Sequence, residues 1–286
     1  MKRIALYIFI TTVFACTKTT KPALFELMNN CGVDFINQVQ DNDSINILNY
    51  RNFYNGGGVA VGDLNNDGLP DLFFTANQGA NKLYLNKGNF NFEDISVKAG
   101  FKNKLQFSTG VVFVDINNDG WLDIYVCNAG NMFYPALRKN QLFINNHNLT
   151  FTEEAEKYGL ADDGYSTQAS FFDYDMDGDL DCFIINNSPV PVNSLGYPNQ
   201  RNLAANKWQV PDYLKGGGDH LYRNDNGHFT EVTQQAGIHG TLMSFGLGVT
   251  VGDVNGDHYP DIYISNDFFE RDYLYINQHN GTFKDE

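Results

Sequence analysis

The string "DLNNDGLPD" at 63–71 returns three times in this chain, as "DINNDGWLD" at 115–123, "DYDMDGDLD" at 173–181 and "DVNGDHYPD" at 253–261. Acids or amides hold the first, third, fifth and ninth places of all four copies. One such string is compatible with an ordinary turn, because Asn, Asp and Gly dominate turns through side-chain-to-backbone hydrogen bonds and tolerance of positive φ. Turn formation asks for no such constancy at four places. A calcium ion does, since it takes roughly six to eight hard oxygens, which alternate side chains of a tight loop and one backbone carbonyl deliver. A metal-free turn remains the alternative for each copy.

The flanks narrow the class. Each loop follows a short run ("GGGVAVG", "STGVVFV", "STQASFF", "GLGVTVG") and precedes another ("LFFTAN", "IYVCNA", "CFIINN", "IYISND"). These runs are rich in β-branched and aromatic residues and bounded by Gly, Asn and Asp, which predicts strands. An EF-hand needs flanking helices and a Glu at the twelfth place; here that place holds Phe74, Val126, Ile184 and Ile264, which excludes it. Each unit continues with a Leu-aromatic run, a turn and an aromatic restart, as in "NKLYLNKGNFNFEDISVKAGF", so each unit is predicted as a four-stranded meander whose acid loop joins its first two strands. Acid loops starting 52, 58 and 80 residues apart are too widely spaced for solenoid coils and suit the blades of an all-β propeller.

These units resemble FG-GAP repeats of the integrin α-subunit type, also called VCBS repeats, and "YNGGGVAVGDLNNDGLPDLFF" is similar to secreted bacterial relatives of the cartilage acidic protein (ASPIC/UnbV) family. The resemblance covers about residues 25–286. It implies a calcium-binding propeller, about seven blades in the complete protein with four in this chain, and a role in extracellular adhesion or recognition. On that reading the chain is an N-terminal fragment, ending inside an outer strand, and its propeller does not close. The implied ligands of the first site are Asp63, Asn65, Asp67, the Leu69 carbonyl and Asp71. Those of the second are Asp115, Asn117, Asp119, the Trp121 carbonyl and Asp123. The third has Asp173, Asp175, Asp177, the Asp179 carbonyl and Asp181; the fourth has Asp253, Asn255, Asp257, the Tyr259 carbonyl and Asp261. The fourth departs from the others in carrying His258 where they have Gly68, Gly120 and Gly178, a place where positive φ is expected.

The N-terminus, "MKRIALYIFITTVFAC", places Lys2 and Arg3 before an apolar run too short for a permanent membrane span, which predicts a signal peptide at 1–15. Its ending "VFAC" resembles the lipobox of bacterial lipoproteins and implies lipidation of Cys16, a tether at 16–24, and location at the outer membrane or cell surface. Ordinary secretion with a free Cys16 is the alternative. Cys31, Cys127 and Cys182 then form an odd set, and the last two sit in apolar runs that predict buried, unpaired thiols. With 34 Asp and Glu against 19 Lys and Arg, the formal charge of -15 opposes nucleic acid and anionic lipid and favours cations.

Two connections outgrow the repeat, "AGNMFYPALRKNQ" and the long insertion at 187–218, both after a second strand and so on the rim away from the acid loops. They bring Phe133, Tyr134, Tyr197, Trp208 and Tyr213, which either contact a protein or glycan partner or pack the loops onto the blades. No GxSxG or HExxH is present, and the six histidines lie mostly in repeat turns. The expectation is therefore a recognition module. A structural part of a larger secreted protein, or a propeller enzyme such as a glycoside hydrolase, lyase or phospholipase, stands as the alternative.

Overall fold

In the computed structural model, which describes residues 24–102, 106–190, 195–197, 200, 202–267 and 270–286, each acid loop closes the first hairpin of a four-stranded antiparallel sheet. The leader at 1–15 and Cys16 lie outside the described residues. The chain divides into Met1–Cys31 and Gly32–Glu286. Of the first unit, residues 24–31 are described and have no regular secondary structure. All that follows concerns the second.

Sheet 1 is β1 (Val59–Gly62), β2 (Asp71–Phe74), β3 (Lys82–Asn86) and β4 (Phe92–Asp94). Sheet 2 is β5 (Phe107–Val114), β6 (Asp123–Ala129), β7 (Gln141–Asn145) and β8 (Phe151–Glu153). Sheet 3 is β9 (Ser166–Phe172), β10 (Asp181–Asn186), β11 (His220–Asn224) and β12 (Phe229–Glu231). Sheet 4 is β13 (Gly246–Gly252), β14 (Asp261–Asn266), β15 (Tyr273–Asn277) and β16 (Phe283–Asp285). The strands of each sheet are paired in chain order. One register recurs, with Gly62, Val114, Phe172 and Gly252 opposite Asp71, Asp123, Asp181 and Asp261, so the first acid of every loop follows a strand and the ninth begins one. The first strands β1, β5, β9 and β13 contact one another in sequence and form an inner layer.

Neighbouring sheets pack face to face. Leu64, Phe73, Leu83 and Phe101 of sheet 1 meet Ile124 and Val126 of sheet 2; Tyr125, Cys127 and Leu142 meet Cys182, Ile184 and Phe229; Phe183, Ile185 and Leu221 meet Ile262, Ile264 and Tyr273. Because β6 and β10 are covered on both sides, every residue of each is buried, which is why they read as continuous apolar runs rather than alternating ones. Strand β14 has one covered side. Its Tyr263 is 41% exposed, whereas the matching Phe73, Tyr125 and Phe183 are at 0%. Each full burial of this kind stabilises by about 1.5–3 kcal/mol, and Phe73→Ala would forfeit roughly 3–5 kcal/mol once the cavity is counted.

The expectation for the thiols holds: Cys127 and Cys182 are free and buried in the core between sheets 2 and 3, and burial raises both above the ordinary thiol range. After β8 a single helical turn (Ala155–Tyr158) ends at left-handed Gly159, where a Cβ would come within 2.4 Å of the Phe229 carbonyl of the next sheet. Gly32 stands against the Phe92 carbonyl of sheet 1 in the same way, and no side chain fits there. The long insertion builds a small core of its own from Ala205, Trp208, Val210 and Leu214 with Leu242 and Met243. Tyr50 and Phe53, ahead of β1, pack on Phe107, Ala129 and Tyr165. Among the described residues no helix is long and apolar enough to cross a membrane.

Candidate metal centre

The four loops share one internal wiring. Asp63, Asp115, Asp173 and Asp253, at the first place, accept backbone N–H groups from the fifth and sixth places at 2.7–3.1 Å, which folds each loop back over its own start. The fifth aspartates, Asp67, Asp119, Asp177 and Asp257, each accept the N–H of the seventh residue at 2.9 Å, namely Leu69, Trp121, Asp179 and Tyr259. In the first, second and fourth loops the third-place amide (Asn65, Asn117, Asn255) donates to the fifth aspartate at 2.7–3.0 Å.

The third loop has no amide there. Its Asp173, Asp175 and Asp177 each bring one carboxylate oxygen within 4.8 Å of the others. Burial first, then the charges of Asp177 and Asp173, raise Asp175 above the ordinary carboxylate range. Asp175 Oδ1 is buried without a hydrogen-bond partner. Three converging carboxylates, one with an orphaned oxygen, could offer hard oxygens to a divalent cation such as calcium.

The ninth aspartates play a second part. Asp71, Asp123, Asp181 and Asp261 are almost completely buried (0–1% exposed), and each spends one oxygen on the N–H of the loop's second residue and the other on the N–H of the last residue of the third strand. Burial raises Asp123 to about 6 and Asp181 to about 7 against the pull of those N–H groups, and raises Asp71 for the same reason. These carboxylates pin the acid loop to its sheet, and their remaining lone pairs are what they can offer an ion.

Sequence reasoning passed over the other end of that pin. Asn86, Asn145, Asn224 and Asn277 close the third strand of every sheet, and each side chain donates to the carbonyl of the eighth loop residue at 2.8–3.2 Å. Asn145 also donates to the Leu64 carbonyl of sheet 1, and Asn277 to the Tyr174 carbonyl of sheet 3, tying neighbouring acid loops together. The signal was in the sequence, since "LYLN", "LFIN", "LYRN" and "LYIN" all end in Asn.

The departure at His258 has a counterpart two residues earlier. All four loops need positive φ at the fourth and the sixth place; the first three put Asn66, Asn118 and Met176 at the fourth and Gly at the sixth, while the fourth loop puts Gly256 (φ 82) and His258 (φ 74) there. The glycine has moved, and the backbone path is kept. Two histidines outside the loops touch them: His147 stacks on Trp121 and pairs with Asp119 at 3.0 Å, and His279 stacks on Tyr259 and pairs with Asp257 at 2.8 Å. The His279 bond is the first cause holding Asp257 down at about 2.

The aromatic residues of the insertions divide. Phe133 and Tyr134 are 66% and 65% exposed, while Trp208 is 2% exposed and donates its indole N–H to the Leu203 carbonyl; Tyr197 and Tyr213 are half-buried against the same small core. For Trp208 the packing alternative describes its place.

Residues 63–126 and 213–264 match the model of the FG-GAP-like repeat. Cartilage acidic protein 1 of Xenopus tropicalis is 32% identical over 137 residues, which are 47% of this chain and 20% of that protein. The Homo sapiens protein of the same name is 38% identical over 72 residues, 25% of this chain and 11% of that protein. The chain thus spans a fifth or less of the curated relatives it matches. Among solved structures, the V. cholerae biofilm matrix protein Bap1 aligns over 79% of this chain and 27% of that one at a TM-score of 0.37 and 13% identity, too distant to carry an argument.

Proposed function

From the FG-GAP-like repeat matched at residues 63–126 and 213–264, we propose that the chain is a calcium-stabilised recognition module, exported and lipid-anchored through Cys16, that engages an extracellular protein or glycan. The single observation that carries the calcium part is the Asp173, Asp175, Asp177 cluster with its unpaired buried oxygen. The same backbone wiring in the other three loops extends the reading to four sites, with Asp63, Asp67, Asp115, Asp119, Asp253 and Asp257 as principal carboxylates. Recognition is assigned to the end of the sheets away from those loops, where Phe133 and Tyr134 stand exposed.

The proposed architecture is a propeller of about seven blades, of which the four sheets are consecutive members. Support comes from the inner layer of first strands and from the uncovered side of sheet 4, where Val254 is 59% exposed although its counterparts Leu64, Ile116 and Tyr174 are buried. An apolar sheet face of this kind is what a following blade covers. The module is read as a binder rather than an enzyme. Calorimetric titration of the metal-free chain with calcium, followed by pull-down and glycan-array screening with and without the ion, tests the reading; calcium-independent stability would remove the first part, and capture insensitive to Phe133→Ala with Tyr134→Ala would move the recognition surface elsewhere.

A further inference from the structure

Where the long insertion lies against sheet 3, it leaves a half-open cavity of about 340 Å³ over the start of β11 and the end of β12. Pockets for small molecules begin at roughly 300 Å³. Lys207 and Lys215 line it from the insertion, and His220, Glu231 and Thr233 line it from the sheet and the turn that follows.

His220 is clamped from behind. The Asp162 carboxylate, 1% exposed, accepts the Gly164 N–H at 2.7 Å, the Tyr222 hydroxyl at 2.8 Å and the Asn186 amide at 3.2 Å, and it pairs with His220 through Nδ1. That pairing fixes the imidazole ring and commits its Nδ1 proton. The ring itself is 29% exposed, and Nε2 has no partner among the described residues and is not sealed from solvent. Burial would lower the imidazole pKa, but Asp162, with Glu231 and Asp219 adding to it, raises it to about 9. At neutral pH the ring is then an imidazolium whose Nδ1 is spent and whose Nε2–H is a spare donor on a cavity wall. The matching place in sheet 1 holds Lys82, which pairs with Asp94 across the sheet. In sheet 3 the acid at that place is Glu231, which accepts the Thr233 N–H at 3.2 Å and forms no ion pair among the described residues.

The charges around Nε2 favour an anion. Lys207 donates to Gln234 Oε1 at 3.2 Å and has no acid partner among the described residues, and Lys215 pairs at 2.7 Å with Asp212, whose side chain is 93% exposed. Three cationic groups thus share the cavity with one carboxylate, a local reversal in a chain of formal charge -15. A cation meets the imidazolium and two ammonium groups there, and a neutral ligand leaves them without a counterion.

We propose that this cavity binds a small ligand bearing an oxyanion, a carboxylate or a sulfate group, which accepts from His220 Nε2–H and from the Lys207 ammonium. Lys215 adds to the attracting field, and Glu231 opposes it. The site goes beyond the recognition reading above, whose surface is that of Phe133 and Tyr134, and either fails without the other.

The test titrates the calcium-loaded 286-residue chain at neutral pH with D-glucuronate and N-acetyl-D-glucosamine 6-sulfate, with D-glucose as the neutral control, by calorimetry and by NMR of the imidazole nitrogens. At least one anionic probe is expected to bind and to shift the His220 Nε2 resonance, with D-glucose weaker by about tenfold or more; the preferred probe tells carboxylate from sulfate. His220→Gln should weaken that probe about tenfold or more, the loss of a hydrogen bond from a charged donor. Lys207→Met, on an exposed side chain, should weaken it about fivefold with no change in melting temperature, which keeps the test open where His220→Gln disturbs folding. Glu231→Gln should tighten it severalfold by removing the opposing carboxylate. Absence of binding by both anionic probes, D-glucose binding as tightly, wild-type affinity in Lys207→Met and His220→Gln, or weaker binding in Glu231→Gln each overturns the proposal.

Discussion

Replacing Asp175 by Asn separates a metal ligand from a turn residue by the sign of its effect. Without calcium, Asp175 is held with Asp173 and Asp177 so that one oxygen of each lies within 4.8 Å of the others. At that separation two like charges repel by about 0.9 kcal/mol in a water-like dielectric, so removing one relieves two pairs, about 1 kcal/mol after salt screening. With calcium the balance reverses. If the site has an extracellular-type affinity of about 10⁻⁴ M, millimolar calcium contributes about 1.4 kcal/mol, and a tenfold loss of affinity cuts that to about 0.4 kcal/mol. In calorimetric or fluorescence melts, Asp175→Asn should therefore melt about 2–3 °C above wild type in excess chelator and lose most of that site's calcium-dependent gain. A variant less stable than wild type in chelator, with an unchanged calcium increment, would show that Asp175 serves the turn and not an ion.

Four further outcomes follow from the same structure. Asp181→Asn should destabilise by about 3 kcal/mol with or without calcium, because its two oxygens hold the Tyr174 and Asn224 N–H groups in the core; denaturant unfolding in chelator measures it. His258→Gly should be neutral or stabilising by up to about 1 kcal/mol and Gly256→Ala destabilising by about 1 kcal/mol, both read from melting curves, since both places need positive φ. Burial alone would lower the pKa of His220, but the buried Asp162 carboxylate more than offsets it and raises it to about 9. Its folded value lies above the unfolded one, so its contribution is full below about pH 6.5 and is lost as pH rises through about 9; unfolding free energy should fall across that window, and His220→Gln should flatten the decline. Trp208→Ala should cost about 3 kcal/mol in local stability of the insertion, seen as faster proteolysis there, whereas Phe133→Ala should change stability by less than about 0.5 kcal/mol.

Repetition made the sheets legible. Four copies of one acid loop located four hairpins, and the Leu-aromatic runs located the third strands, because burial between neighbouring sheets imposes the same apolar pattern on each. What escaped has physical reasons. The ninth aspartate reads as a ligand in sequence; that each of its oxygens also accepts a backbone N–H depends on a third strand distant along the chain. Asn86, Asn145, Asn224 and Asn277 repeat just as faithfully, but Asn at a strand end also reads as a turn residue. His258 looked like a lone defect because the compensating Gly256 matters only once both positive φ values are known. Trp208 turns inward for a reason no repeat encodes: the insertion closes its core with Leu242 and Met243, which precede β13. The segment carrying Tyr50 and Phe53 has no counterpart in the other units, so periodicity could not place it on Phe107 and Tyr165.

Counting the calcium ions held by the chain tests the central claim most directly. Equilibrium dialysis of metal-free protein against millimolar calcium, with bound metal measured by elemental analysis, should find about four ions per chain. With its third site tenfold weaker, Asp175→Asn should lower the count by about 0.4 of an ion per chain near the wild-type midpoint, while the other three sites fill as before. No bound calcium under these conditions, or an unchanged count and midpoint in Asp175→Asn, would contradict the account and leave the four acid loops as turns.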